Sequence, residues 1–238
     1  MLVKIVPPPN PFYIVPSHML QIRHTPDDAI EVGIDEAGRG CFWGPLYAGA
    51  VIWVPEADMS EEQAAIAAQI KDSKKLSEKR RAVLSDAIKD LALAWGVGSV
   101  TAEEIDTLGM TKSNQLAFTR ALEGLSVPPE RLILDGTLSI YDPRWSMVEQ
   151  IVEPEADGKY LPVAAASILA KVAHDDWVHA YAETNANVAE RYDLLGNKGY
   201  GTTKHRDGIL THGIHSLHRR LFLRKMAATE TIRVAFEG

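Results

Sequence analysis

Two adjacent carboxylates, Asp35 and Glu36, stand in the run Val-Gly-Ile-Asp-Glu-Ala-Gly-Arg-Gly at 32–40, bracketed by Val32, Ile34, Ala37, Phe42 and Trp43. A third acid, Asp135, repeats the arrangement by ending Leu132-Ile133-Leu134 just before Gly136. Adjacency alone says little, since Asp27-Asp28, Glu61-Glu62, Glu103-Glu104 and Asp175-Asp176 are also paired, in polar or helical surroundings where a solvated face is expected. Acids that close apolar strands are different: unpaired charge inside a core is costly, so they should be paired or bound to a cation. The plain alternative is that each caps a turn or pairs with Arg39 or a lysine, Asp-Gly being ordinary turn chemistry. Two such sites in one chain weaken that alternative. Carboxylate oxygens with no cysteine and no designated histidine suit a hard cation, Mg²⁺ or Mn²⁺, better than zinc.

Side chains alternate across a strand, so Asp35 and Glu36 can share a site only where the strand ends or distorts. Gly38 and Gly40 supply a distortable backbone at that point. The elements around them read as mixed α and β. Residues 31–36 and 46–54 are β-rich runs around a glycine-rich turn, which suggests an antiparallel hairpin. The stretch from Ser77 carries an N-cap residue and helical spacing at Val83, Leu84, Ala87, Ile88 and Leu91. Residues 95–101 read as a strand, Thr101 and Glu104 as a capping box for a short helix, and 112–124 as a further helix. Residues 131–136 and 145–153 are strand candidates, and 162–184 is the longest helix candidate, with Pro162 suited to its first turn. Such an order predicts a mixed sheet flanked by helices.

The 238 residues are 46% hydrophobic and 24% charged, with one cysteine, Cys41. That balance fits one compact domain with appendages, allows no internal disulfide and contains no apolar run of the ~20 residues a membrane span needs. A reducing, cytoplasmic setting follows as the expectation. The proline-broken N-terminus lacks the features of a secretory signal, and residues 1–28 read as an extension. A formal net charge of −7 argues against a simple nucleic-acid coat. Charge is uneven, however: from Lys198 to Lys225 seven basic residues face one acid, Asp207. That segment is either a solvated face or a phosphate-binding surface.

Five stretches occur in the order found in one family: Gly-Ile-Asp-Glu-Ala-Gly-Arg-Gly at 33–40, Asp-Ser-Lys-Lys-Leu-Ser at 72–77, Leu-Ile-Leu-Asp-Gly at 132–136, Val-Ala-Ala-Ala-Ser-Ile-Leu-Ala-Lys-Val-Ala-His-Asp at 163–175, and Asn-Lys-Gly-Tyr-Gly-Thr-Thr-Lys-His at 197–205. Together they strongly resemble ribonuclease HII over residues 31 to about 225. The resemblance implies an RNase H-like fold, a central mixed β-sheet flanked by α-helices with a C-terminal helical portion. The catalytic domain would span 29–238, including a helical segment at about 185–238. It implies a four-carboxylate site of Asp35, Glu36, Asp135 and Asp157, holding two Mg²⁺ or Mn²⁺ ions during catalysis. The implied activity is cleavage of the RNA strand of RNA/DNA hybrids and nicking 5′ to single ribonucleotides in duplex DNA, leaving 5′-phosphate and 3′-hydroxyl ends. In that family the Gly38-Arg39-Gly40 turn and Tyr200 sense the 2′-hydroxyl, the group that marks RNA. Ser73, Lys74, Lys75, Lys198 and Lys204 are candidates for phosphate contacts that place the duplex without reading sequence. A monomer acting on nucleic acid, with no membrane role, is the expected form.

Three departures stand out. Glu155 occupies a place where that family usually has lysine, which leaves Glu153, Glu155 and Asp157 as close rivals for the fourth acid. His174 replaces a usual arginine, with Asp175 free to pair with Lys171 one turn earlier. Cys41, Phe42 and Trp43 replace smaller residues, Cys41 as packing rather than chemistry. Among alternatives, ribonuclease HIII would carry a sizeable N-terminal binding domain and lack the Gly-Arg-Gly turn. A zinc hydrolase would use His205, His212, His215 and His218, yet steps of three residues drift around a helix and no second ligand cluster accompanies them. Solvated or phosphate-facing histidines are expected instead. A silent hybrid-binding protein should lack one of the four acids, and all four are present.

Overall fold

A computed structural model describes residues 20–71, 73–224 and 226. Residues 1–19, which make up most of the expected N-terminal extension, lie outside the described residues, as do Asp72, Lys225 and 227–238. The five strands are β1 (Glu31–Ala37), β2 (Leu46–Ile52), β3 (Ala94–Val100), β4 (Arg131–Asp135) and β5 (Glu149–Glu153), ordered β3-β2-β1-β4-β5. The β1–β2 and β2–β3 pairs are antiparallel, whereas β1–β4 and β4–β5 are parallel. The expected hairpin and mixed sheet are both present. Strand β2 stops at Ile52 rather than 54, and β5 begins only at Glu149 because 145–148 turn back through a hydrogen bond from the Val148 amide to the Trp145 carbonyl.

Helices α1 (Glu61–Ala67), α2 (Glu78–Leu91), α3 (Ala102–Leu108), α4 (Met110–Glu123) and α5 (Leu161–Thr184) precede the shorter α6 (Ala186–Arg191), α7 (Leu194–Asn197), α8 (Thr203–His212) and α9 (Arg220–Leu223). Their starts follow local chemistry. Ser77 accepts from the Arg80 amide to open α2, and Thr101 and Glu104 form the anticipated capping box of α3. Helix α1 was not anticipated, although Ser60 and Gln63 form the same device there and were its readable signal. Among the described residues, no helix is long and apolar enough to cross a membrane.

Helix α5 decides the layering. Its first ten residues, Leu161 to Ala170, are all buried, as expected of a helix enclosed by its own domain. It lies on one face of the sheet, where a Cβ on Gly33 would sit 2.2 Å from the Pro162 carbonyl carbon and one on Gly49 2.3 Å from the Ala166 oxygen. Only glycine permits so close an approach of strand to helix. The opposite face carries α4, whose Ala117, Phe118, Ala121 and Leu122 pack on Val32, Ile34, Leu46, Ala48, Leu132 and Leu134. Side chains of β1 therefore divide, with 33 and 35 towards α5 and 32, 34 and 36 towards α4.

The chain beyond α5 folds back on the turn after β1. Trp43, fully buried, is packed with Val178, Tyr192, Leu194, Ile209 and Leu223. At the opposite end of the strands, Arg131 binds Asp27, Glu31 and Glu149, and Gln21 exchanges backbone hydrogen bonds with Lys159 and Leu161. Residues 20–28 are thereby tied to the sheet.

Candidate active site

Parallel pairing of β1 with β4 runs to Ile34 opposite Leu134, so the next residues, Asp35 and Asp135, emerge side by side where the ladder ends. Strand β1 itself continues to Ala37 against β2. Asp35 and Glu36 therefore do leave opposite faces of a regular strand, and the cleft wraps the end of the sheet to meet both. Glu36 lies on the α4 side, where Asn114 donates to its Oε2 at 3.4 Å. Asp35 lies on the α5 side, hydrogen-bonded by Ser167. Asp135 accepts from the Ala156 amide at 2.7 Å and so holds the 3-10 turn Ala156–Gly158, which carries Asp157. Asp157 is buried, with Lys74 Nζ 3.9 Å from its Oδ2. Of its rivals, Glu153 is taken up by Lys159 at 2.7 Å and Tyr160 at 2.9 Å, while Glu155 is exposed at the left-handed residue opening the turn.

Like charges crowd here. Burial pushes the Asp35 carboxyl well above the usual range, and the neighbouring Glu36 and Asp135 charges push it further. Burial likewise raises Glu36, against the pull of Arg39 at 3.8 Å and of Asn114. Among the described residues no three acidic, histidine or cysteine side chains converge at metal-ligand distance. The donor set nevertheless fits a hard divalent cation: it is oxygen-only, crowded and negative, with Arg39 3.8 Å from Glu36 and Lys74 3.9 Å from Asp157.

One cleft is lined by Asp35, Glu36, Asp135, Ser73, Lys74, Arg81, Ser167, Lys171 and Tyr200. Three basic residues line it beside the acids, and two of them, Arg81 and Lys171, share Asp175, at 3.7 and 2.7 Å. The Ser73 hydroxyl meets Ser167 at 2.9 Å, and Lys74 and Lys75 are exposed in the same short turn. Arg81 donates to the Ser73 and Leu76 carbonyls at 3.1 and 2.7 Å, fixing that turn. Lys171 binds Asp175 at 2.7 Å, as its spacing predicted, and stands 5.6 Å over the Tyr200 ring. Sequence reasoning did not assign Arg81, Asn114, Ser167 or Lys171 to the cleft. Ser167 and Lys171 had a signal, since they sit four apart on one face of the recognised helical stretch, whereas nothing local marked the other two.

Asp175, His174 and Cys41 form a chain, with Asp175 Oδ1 3.0 Å from His174 Nδ1 and His174 Nε2 3.5 Å from the Cys41 sulfur. Burial pushes the Cys41 thiol up to about 12, so this chain packs the core and supplies no thiolate nucleophile.

The turn at 38–44 and Tyr200 are joined. Cys41 bridges Tyr200, Phe42 and Trp43 donate to the Gly199 carbonyl, and the Tyr200 hydroxyl is hydrogen-bonded by the Gly38 backbone. Both glycines that bound this turn, Gly38 and Gly44, have φ near +80° and +75°. Lys198 does not line the cleft; it is bonded to His179 and lies 3.6 Å from Glu78. Lys204 is 79% exposed and 3.8 Å from Asp193.

The expectation of solvated histidines is corrected for His205 and His218, which are 0% and 1% exposed. His215 donates its amide to His218 Nδ1 at 2.8 Å, the two Nε2 atoms lie 3.0 Å apart, and His205 Nδ1 meets the Tyr200 carbonyl at 3.0 Å. That carbonyl can only accept, so His205 carries its proton on Nδ1 and His218 on Nε2, a one-way chain of neutral rings. Each ring nitrogen is used, and the pair offers no lone pair to zinc. Burial lowers both, His218 to about 3.

A family model described as Ribonuclease HII matches residues 32–225. The chain is 45% identical over 194 residues to the ribonuclease HII of Parabacteroides distasonis, covering 81% of this chain and 89% of that one. It is 43% identical over 195 residues to the ribonuclease HII of Bacteroides thetaiotaomicron, covering 82% and 90%. Among solved structures, ribonuclease H2 from Pyrococcus horikoshii superposes with a TM-score of 0.63 at 27% identity, over 87% of this chain and 97% of that one.

Proposed function

The chain belongs to the ribonuclease HII family, and from that premise we propose that it is a metal-dependent endoribonuclease. It would cut the RNA strand of RNA/DNA hybrids and nick duplex DNA 5′ to a single ribonucleotide, leaving 5′-phosphate and 3′-hydroxyl ends. One observation carries this reading: a single cleft is lined by Asp35, Glu36 and Asp135 together with Lys74, Arg81, Lys171 and Tyr200. Such a cleft suits a phosphodiester, whose charge the basic side chains attract and the crowded carboxylates, without cations, would repel.

Asp35, Glu36, Asp135 and Asp157 would hold two Mg²⁺ or Mn²⁺ ions. Those ions would supply activation of water and stabilisation of the leaving 3′-oxygen. The protein's part is placement. Asp135 orients the turn bearing Asp157, Ser167 and Asn114 orient Asp35 and Glu36, and Ser73, Lys74 and Lys75 receive the duplex backbone. Gly38, Arg39 and Gly40 face the sugar at close range, and the Tyr200 ring packs on the neighbouring deoxyribose. Lys204 reaches more distant phosphates, and Lys198 contributes there only by leaving Glu78 and His179. Residues 29–238 act as one catalytic domain completed by the helical segment from about 185, with 1–28 as an extension. The protein works as a cytoplasmic monomer.

The test offers full-length protein a DNA duplex with one ribonucleotide and the matched all-DNA duplex, in Mn²⁺, Mg²⁺ or chelator. Metal-dependent nicking of the first alone is expected, and its loss in Asp35→Asn. Undiminished nicking by Asp35→Asn, or none by wild type, refutes the assignment. If Asp157→Asn cuts normally while Glu155→Gln does not, the fourth acid is misassigned.

A further inference from the structure

Arg219 is 0% exposed, and its partners are carbonyl oxygens rather than a carboxylate. Its Nε donates to Gly44 at 2.8 Å, and its Nη1 donates to Gly38 at 2.7 Å and to Arg39 at 3.1 Å. Its own amide donates to the Phe42 carbonyl at 2.7 Å. Burying a guanidinium in this way is costly, and an apolar side chain would fill the space with less loss. The planar fork does what an apolar residue could not do: it fixes three carbonyls of one turn in a single geometry.

Peptide planarity turns that grip into an orientation. The Gly38 carbonyl shares its peptide unit with the Arg39 amide, and the Arg39 carbonyl shares its unit with the Gly40 amide. No peptide bond among the described residues is cis. In a trans unit N–H points opposite to C=O. Carbonyls held towards Arg219 therefore turn the amides of Arg39 and Gly40 the other way, out of the core. Both residues are exposed there, and the Cβ position of Gly40 lies 3.9 Å from the Tyr200 ring.

We propose that Arg219 is a positioning residue of the sugar-sensing turn, holding the Gly38 and Arg39 carbonyls from behind so that the Arg39 and Gly40 amides are presented to the 2′-hydroxyl. The specificity this gives rests on the function proposed above; the orientation of the amides does not. Arg219→Lys keeps the charge and loses the fork. In the ¹⁵N–¹H spectrum of the full chain the Arg39 and Gly40 amides should shift or broaden while those of α4 stay in place. On the single-ribonucleotide duplex kcat/KM should fall roughly 10- to 100-fold, as expected for a displaced positioning contact. The Mn²⁺ concentration giving half-maximal nicking should stay within about twofold, because the acids hang on β1, β4 and the 3-10 turn.

Unmoved Arg39 and Gly40 amides with wild-type kcat/KM would overturn the proposal, as would a changed Mn²⁺ requirement with those amides unmoved. If wild-type protein fails to nick the ribonucleotide duplex, the functional reading falls, and the amide shifts still decide the orientation. Should Arg219→Lys not fold, the wild-type Arg219 side-chain signals decide it. Slow exchange and hindered rotation are expected of the gripped fork, and free rotation with fast exchange would refute it.

Discussion

The buried pair His205 and His218 makes the packing of the chain beyond α5 sensitive to acid in a calculable way. An unfolded histidine takes its proton near pH 6.5, whereas folded His218 stays neutral down to about 3. Burial is the main reason, and the neighbouring His205 ring adds to it; in the folded chain His218 Nδ1 accepts from the His215 amide, and His205 Nε2 accepts from His218. A proton on either nitrogen breaks one of these bonds inside a cluster formed with Trp43 and Tyr192. The unfolded chain thus binds more protons throughout the window, and stability is lost as pH falls below about 6.5 and continues to fall towards about 3. At pH 5 His218 alone removes about 2 kcal/mol relative to pH 8. For a chain of this size that corresponds to a melting point lower by about 4–8 °C. His205 and His174, both lowered by burial, act in the same direction.

The assay is a series of thermal melts from pH 8 to pH 5 on wild type and His218→Phe. At pH 8 the variant should be less stable by about 1–3 kcal/mol, because the His215 amide and His205 Nε2 lose their partner. Its further loss down to pH 5 should be about 2 kcal/mol smaller than that of wild type. Ring nitrogen shifts should assign the proton to Nδ1 of His205 and Nε2 of His218. An equal pH slope in both proteins, or either ring titrating near 6.5, would refute the argument.

Other outcomes follow from the same packing. Asp35→Asn should abolish nicking and yet raise stability in chelator by about 1–2 kcal/mol, because it removes the buried member of three crowded carboxylates; a lower melting point contradicts this. Adding Mn²⁺ should raise the wild-type melting point and leave that variant nearly unmoved. Gly33→Ala drives a methyl to 2.2 Å from the Pro162 backbone and should cost about 1–3 kcal/mol with loss of activity, measured by urea denaturation and nicking. Asp106→Ala leaves the Arg220 and Leu221 amides without their carboxylate acceptor and should cost about 1 kcal/mol in the same denaturation assay, with Mn²⁺ dependence unchanged.

Much of the site was legible from residue order. Asp35, Glu36 and Asp135 announced themselves because acids ending apolar strands need a partner, and that is a local, one-dimensional signal. Caps such as Thr101 with Glu104 were equally local. The expected conflict between neighbouring side chains of β1 was real, and it resolved only in three dimensions: the cleft wraps the sheet end, so Asp35 reaches it from the α5 side and Glu36 from the α4 side. The turn at Asp157 was placed by Asp135 across β4 and β5, a contact that residue order does not encode. Sequence by itself determined the main strands and the longer helices, the acids, the glycines and the family likeness. Tertiary structure decided which cations line the cleft, why Lys198 is engaged by His179 and Glu78 instead, and why His205, His218 and Arg219, from a segment read as a solvated or phosphate-binding face, are buried against the turn at 38–44. The physical reason is range: caps, periodicity and strand ends act over a few residues, whereas burial and hydrogen-bond partnership are set by whatever the fold brings from far along the chain.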